Sequence, residues 1–251
     1  MTDKPDFLPY GRQSIDDDDI AAVAEVLHSP LLTTGPAVEA FEAALAERTG
    51  VENAIACSSG TAALHLAVLA LDLGLGDCAV VPAITFLATA NAVRFTGADV
   101  IFSDVDPDTG LMTAKTFEAA LAANPGKRVR AVLPVHLGGQ PADPAGIAAV
   151  ARTRDIAVVE DACHALGTSY AAADGDGTAA VGACRHADMA TFSFHPVKTI
   201  TSGEGGAVTT GDGETAHRLR LLRNHGMTRA DKEFENDDLA FDDNGNANPW
   251  Y

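Results

Sequence analysis

The stretch Thr191-Phe192-Ser193-Phe194-His195-Pro196-Val197-Lys198-Thr199-Ile200-Thr201-Ser202-Gly203-Glu204-Gly205-Gly206 decides how this chain reads. An apolar run carries one serine, then delivers a single lysine into a turn of small and apolar neighbours. A glycine-rich segment returns from that turn into a second apolar run. Burying a lysine is costly unless its amine has work to do, and desolvation makes such an amine nucleophilic toward carbonyls. Upstream, Val158-Val159-Glu160-Asp161-Ala162-Cys163-His164 ends another apolar run on acids.

Outward from these two segments the pattern is regular. Short apolar runs at 53–57, 79–83, 99–103, 129–135, 156–160, 189–194 and 206–210 alternate with helical stretches near 61–71, 86–95, 114–122, 143–153 and 212–223. Strands buried on both faces read as continuous apolar runs. The expectation is an α/β fold, a mostly parallel seven-stranded sheet with helices on both faces. Before it, Ser14 is expected to cap a helix whose first turn holds Asp16 to Asp19 and whose spacing aligns Ile20, Val23, Ala24 and Leu27. Pro36 after Gly35 opens a second helix carrying Val38, Phe41 and Leu45. Residues 229–248, rich in Asp, Glu and Asn, read as a mobile loop. The expected organisation is an N-terminal arm and helix over 1–35, a main domain over 36–228, and an acidic loop over 229–251. Asn248-Pro249-Trp250-Tyr251 reads as the start of a packed element, so the ending is expected to be a truncation inside a longer protein.

The chain has 251 residues, of which 47% are hydrophobic and 21% charged, enough for one large domain, or one and part of another. A net charge of −18 argues against nucleic acid and anionic membranes as partners, because both attract basic surfaces. No run is long enough to span a bilayer, and Met1-Thr2-Asp3-Lys4-Pro5-Asp6 lacks the form of a signal peptide. Cys57, Cys78, Cys163 and Cys184 show no metal spacing; they are expected to be reduced, mostly buried thiols of a cytoplasmic protein.

In open α/β sheets ligands bind outside the carboxyl ends of the strands. Gly60 and Thr61 follow the first run and open a helix, whose free N–H groups and a hydroxyl suit a phosphate. Taken alone, an ordinary capped turn is the more common use of such residues. Phe86 follows the second run and could lie against an aromatic ring, although core packing is the commoner fate of a lone phenylalanine. His136 could touch a substrate hydroxyl or satisfy its own turn. Asp161 could pair with a pyridinium N–H or cap the next helix, and His164 could support it or line the core. Ser193 could add a phosphate hydroxyl or bond nearby backbone. Lys198 could be a surface lysine, but its neighbours weaken that reading. A lysine for the aldehyde and an acid for the ring nitrogen are the two protein groups that pyridoxal 5′-phosphate (PLP) chemistry needs. Complementary roles at successive strand ends carry more weight together than any one alone.

Gly60-Thr61-Ala62-Ala63-Leu64, Thr85-Phe86-Leu87-Ala88-Thr89, Glu160-Asp161-Ala162-Cys163-His164-Ala165 and Ser193-Phe194-His195-Pro196-Val197-Lys198 resemble the DegT/DnrJ/EryC1/StrS sugar aminotransferases, which are PLP enzymes of fold type I. The resemblance runs across essentially the whole chain. It implies that Lys198 is the Schiff-base lysine and general acid/base, Asp161 the ring-nitrogen partner and Phe86 the stacking ring. It further implies that Gly60, Thr61 and Ser193 are phosphate ligands and His164 a cofactor-side polar residue. Tyr10, Arg12, His136 and His195 are the candidate substrate contacts. Leu8-Pro9-Tyr10-Gly11-Arg12-Gln13-Ser14-Ile15, the Lys198 turn, Leu221-Leu222-Arg223-Asn224-His225-Gly226 and Pro249-Trp250-Tyr251 look like one branch, the transaminases of pseudaminic-acid biosynthesis. That branch aminates C4 of a UDP-linked keto-hexose with L-glutamate as the usual donor. The resemblance also implies a homodimer with shared active sites, and a small C-terminal domain that is missing here. The insertion 171–178 departs from the family pattern.

Three rivals remain at this stage. A PLP sugar dehydratase on the same scaffold would carry histidine in place of Lys198. A nicotinamide-dependent dehydrogenase would need a Gly-x-Gly-x-x-Gly turn after its first strand, which is absent. A catalytically inactive sugar-nucleotide or PLP-binding fragment stays open.

Overall fold

The computed structural model describes residues 9–33, 35–171, 177–228, 230–234 and 236–248. Leu8, the centre of the 171–178 insertion, Arg229 and Pro249-Trp250-Tyr251 lie outside them.

Seven strands form one sheet in the order β1 (Asn53–Cys57), β9 (Gly206–Thr210), β8 (Met189–Ser193), β5 (Ala157–Asp161), β4 (Arg128–Val132), β2 (Asp77–Pro82), β3 (Asp99–Ser103). All pairings are parallel except those of β9, which runs against both β1 and β8. The expected mostly parallel sheet is therefore present, with one reversed strand. Each crossover is long enough to carry a helix, which is what parallel pairing demands. The helices are α1 (Asp17–His28), α2 (Pro36–Thr49), α3 (Gly60–Ala70), α4 (Leu87–Phe95), α5 (Ala114–Ala123), α6 (Pro144–Arg152), α7 (Gly213–Arg223) and the short α8 (Asp237–Ala240).

Strand β2 shows how the layers are built. All six of its residues are buried. Ala79 and Val81 join Leu64, Val68, Val93 and Leu219 in one cluster, while Cys78 and Val80 join Phe117, Ile147 and Ala151 in another. Alternate residues of a strand face opposite sides, so one continuous apolar run serves two helical layers. A third cluster, with Leu45, Phe192 and Phe194 at its centre, seats α2 and a small hairpin of β6 (Ser169–Ala171) and β7 (Thr178–Ala180).

Several local expectations are corrected. Helix α1 begins at Asp17 with Asp16, not Ser14, as its cap. Asp16 Oδ1 accepts the N–H groups of Asp18 and Asp19, and Asp19 Oδ2 accepts the N–H of Asp16. That reciprocal arrangement satisfies more orphan donors than a lone serine could. The α1 stripe is not buried: Ile20, Val23 and Leu27 are exposed. The fourth strand stops at Val132 instead of 135, because Pro134 has no N–H for the ladder. Only Cys78 of the four thiols is fully buried, and all four are free. The described residues of the acidic tail carry short local elements within the expected loop. A 3-10 turn over Asp231–Glu233, α8, a Phe241–Ala247 bridge and a Phe234–Phe241 ring contact organise it around the fully buried Ala240.

The reversed strand β9 brings its first residue, Gly206, to the end of the sheet where the parallel strands finish. A Cβ on Gly206 would meet the carbonyl of Ser59 and, at 2.7 Å, the backbone nitrogen of Gly60. Only glycine lets the start of α3 cross over β9 this closely. Gly206→Ala is expected to cost ~1–3 kcal/mol through this overpacking. Urea unfolding measures it, and an unchanged midpoint would contradict the close approach.

Candidate active site

At the carboxyl ends of the parallel strands lies a cleft of about 670 Å³. Gly60, Thr61, Phe86, Asp161, His164, Ser193 and Lys198 all line it, together with Tyr10 and His195. Residues spread over nearly 190 positions, from Tyr10 to Lys198, thus meet at one place, the carboxyl-end crevice that open parallel sheets use for ligands.

One end of the cleft is a helix start. Ser59 caps α3, its Oγ accepting the N–H of Ala62 at 3.1 Å and its carbonyl that of Ala63 at 2.9 Å. The N–H groups of Gly60 and Thr61 precede any intrahelical acceptor and remain available to a ligand. A Cβ on Gly60 would sit 2.7 Å from Ser193 Cβ and 3.1 Å from Cys163 Sγ. The helix terminus therefore packs against the end of β8, which puts the hydroxyls of Thr61 and Ser193 in the same wall of the cleft.

At the other side Asp161 ends β5, only 4% exposed. Its Oδ2 accepts the hydroxyl of Thr89 at 2.7 Å and its Oδ1 accepts the N–H of Cys163 at 3.2 Å. The backbone is held as firmly: Asp161 N–H donates to Pro134 O at 2.9 Å, and Asp161 O accepts from His136 N–H at 3.0 Å. Burial, then the Asp161 carboxylate, push the Cys163 thiol well up, so this cysteine stays protonated.

Lys198 is half-buried in the turn after β8. Its N–H donates to His195 O at 2.9 Å. Phe194, buried and edge-on to Phe41 at 5.1 Å, anchors the turn. Its carbonyl accepts both the Thr201 hydroxyl at 2.9 Å and the Ser202 N–H at 3.0 Å. Gly203, at φ +82°, then turns the chain back toward β9. The lysine is thus presented by a rigid return loop instead of hanging from a flexible one.

His164 Nδ1 accepts the N–H of Gly138 at 3.3 Å, so a neutral ring carries its proton on Nε2. Burial, and next the positive charge of Lys198, lower its pKa below 6.5, while Asp161 opposes them. Phe86 is 69% exposed at the head of α4 and belongs to the cleft, not the core. Tyr10 is exposed and lines the same cleft, and Gly11 lies against Val197 of the lysine turn.

Two expected substrate contacts are not brought to the cleft. His136 is fully buried, its Nδ1 accepting the Ala142 N–H and its Nε2 3.5 Å from the buried Glu160 carboxylate. Its backbone braces Asp161, because the chain after β4 continues alongside the end of β5, where Val135 bridges Asp161. Arg12 is exposed and does not line the cavity. Conversely, Thr89, Cys163 and Glu204 were not anticipated. For Thr89 the signal was its spacing from Thr85, a second threonine four residues earlier across the start of α4.

The sequence profile of the DegT/DnrJ/EryC1/StrS aminotransferase family matches residues 13–245. The chain belongs to this family. Among solved structures it is similar to an aminotransferase from Psychrobacter cryohalolentis, at 35% identity and a TM-score of 0.80 over 92% of this chain and 55% of that one. It is similar to DesV of S. venezuelae, solved with a ketimine intermediate, at 37% identity and a TM-score of 0.75, covering 88% and 59%. It is also similar to Spr1654 of Streptococcus pneumoniae in its PLP form, at 29% identity and a TM-score of 0.79, covering 89% and 59%. The chain thus spans somewhat over half the length of the solved relatives it matches.

PLP is the cofactor of DegT-family aminotransferases, and the residues present fit it. Its phosphate needs donors and no bulk, which the bare α3 start and the crevice at Gly60 provide. Its ring nitrogen needs a fixed acceptor, which Asp161 is, and its aldehyde needs an amine in the same cleft, which Lys198 provides. The charge coupling between His164 and Lys198 is measurable. By NMR titration His164 is expected to take up its proton below pH 6.5, and Lys198→Met is expected to move that titration upward. A titration unmoved by the substitution would show that the two side chains do not share the cleft.

Proposed function

We propose that this chain forms the cofactor-binding part of a PLP-dependent nucleotide-sugar transaminase. In that reaction an amino group passes from L-glutamate to the C4 keto group of a UDP-linked 2-acetamido-2,6-dideoxy-hexos-4-ulose, a step of pseudaminic-acid biosynthesis. The observation that carries the reading is the convergence of Lys198, Asp161 and the α3 N-terminus on one cleft. The assignment to this sugar rests on the sequence resemblance of the lysine turn and its flanking segments. Amination of another nucleotide-linked keto sugar, at C3 or C4 and on UDP or dTDP, uses the same residues.

Bound in the cleft, PLP supplies an aromatic electron sink for the bond broken at the amino donor's Cα. The chain's own residues do the rest. Thr61, Ser193 and the N–H groups of Gly60 and Thr61 bind the phosphate and fix the ring's position. Phe86 covers one face of the ring. Asp161 accepts the ring N–H and, being buried and doubly hydrogen-bonded, keeps its charge directed there. Lys198 holds the cofactor through its amine and moves the proton at the donor's Cα. His164, neutral with its proton on Nε2, is a hydrogen-bond donor toward the cofactor's edge. Tyr10 and His195, both exposed on the cleft, are the proposed sugar contacts.

The proposed organisation keeps residues 36–228 as the cofactor-binding domain. A homodimer is supported by α1, whose Ile20, Val23 and Leu27 stripe is exposed among the described residues. The free thiols support a reducing, cytoplasmic setting.

Adding PLP, reducing with borohydride and mapping the product by mass spectrometry tests the reading directly. A pyridoxyl group is expected on Lys198, and none on the Lys198→Ala chain. Labelling spread over surface lysines, or absent altogether, would refute it. Ser193→Ala is expected to weaken PLP binding about tenfold, as loss of one hydrogen bond to a charged phosphate does. A panel of UDP- and dTDP-linked keto sugars then identifies the acceptor.

A further inference from the structure

We propose that Thr89 is a positioning residue that locks the Asp161 carboxylate to the turn carrying Phe86, fixing the edge and face contacts of the cofactor ring relative to each other. This rests on the PLP reading above and extends it to a residue outside the lining of the cleft.

Thr89 is completely buried, yet its two polar groups point at two different site residues. Its hydroxyl donates to Asp161 Oδ2 at 2.7 Å, across 72 positions of sequence. Its backbone N–H donates to Phe86 O at 3.2 Å, in the first turn of α4. Thr85 Oγ1 lies 2.7 Å from Thr89 Oγ1. The proton order in this chain follows from valence. A hydroxyl has one proton, and Thr89 gives its proton to a carboxylate, so Thr85 must donate to Thr89. The relay therefore runs from Thr85 through Thr89 to Asp161, each bond polarising the next toward the negative charge.

The geometry has a specific consequence. With Oδ1 taken by the Cys163 N–H and Oδ2 by Thr89, the carboxylate cannot rotate without breaking one of the two bonds. One face of the acid remains for the ring nitrogen. The same threonine holds the carbonyl at the head of α4, where Phe86 projects into the cleft. Removal of the Thr89 hydroxyl alone would leave the backbone link and the fold intact while freeing the acid.

Thr89→Val, nearly equal in shape, removes only that hydroxyl; Thr89→Ser keeps it. The probes are PLP and its 1-deaza analogue, in which carbon replaces the ring nitrogen. Binding is followed by the absorbance of the protein-bound cofactor, and the melting temperature of each variant is recorded. The expected result is a PLP affinity about tenfold weaker in Thr89→Val, the worth of one hydrogen bond to a charge, and restored within about twofold in Thr89→Ser. Affinity for the deaza analogue is expected to be the same in all three proteins, because it makes no bond to Asp161. Equal weakening toward both probes would mean a general packing role and overturn the proposal, as would an unchanged PLP affinity in Thr89→Val. If the unsubstituted chain binds neither probe, the PLP reading itself falls and the relay loses the ring it serves. If it binds both and only the ratio fails, the PLP reading stands and the relay does not.

Discussion

The buried carboxylate of Asp161 is the constraint around which the site is arranged. An ionised acid at 4% exposure is tolerable only when its oxygens are bonded and a positive partner can reach it. The chain meets the first requirement with the hydroxyl of Thr89 on α4 and the N–H of Cys163 just beyond β5, while backbone bonds to Pro134 and His136 beyond β4 hold the main chain of the acid. Each comes from a different crossover of the sheet. A parallel sheet brings such segments together at one edge, so the position of the acid is a property of the topology more than of its own neighbours in sequence.

The reversed strand β9 supplies the complementary constraint. Because it runs against β1 and β8, the lysine turn can return directly into the sheet between the strand that precedes α3 and the strand that ends at Ser193. Two glycines make this possible by removing bulk, Gly206 beneath Ser59 and Gly60 beside Ser193. The helix start and the lysine turn are thereby packed against one another. The donors suited to a phosphate and the amine suited to an aldehyde then keep a set separation within one cleft.

Buried polar groups beneath the cleft complete the frame. His136 and Glu160 face each other at 3.5 Å with no exposure to solvent. Glu160 and Asp161 are adjacent on β5 and so point to opposite faces of the sheet. One acid serves the cleft and the other the interior, a division that follows from the two-residue repeat of a strand.

Much of the fold was legible in the sequence. Every strand of the large sheet and seven of the helices fall close to the apolar runs and helical stretches expected, because short apolar runs bounded by turn residues and alternating with helix-period stretches mark a buried parallel sheet. Lys198, Asp161 and the Gly60-Thr61 turn were legible as candidates because each sits where such a run ends. What the sequence could not give was which side chains point into the cleft. His136 and Arg12 follow plausible segments, yet one is sealed beneath the floor and the other stands away from the wall. Thr89 looked like one small polar residue among many on a helix, since its partner lies far along the chain. Local chemistry and periodicity determine elements and their ends. Contacts between residues distant in sequence, such as the bond that holds Asp161, are decided only when the layers pack, because they depend on how α4 docks against the end of β5.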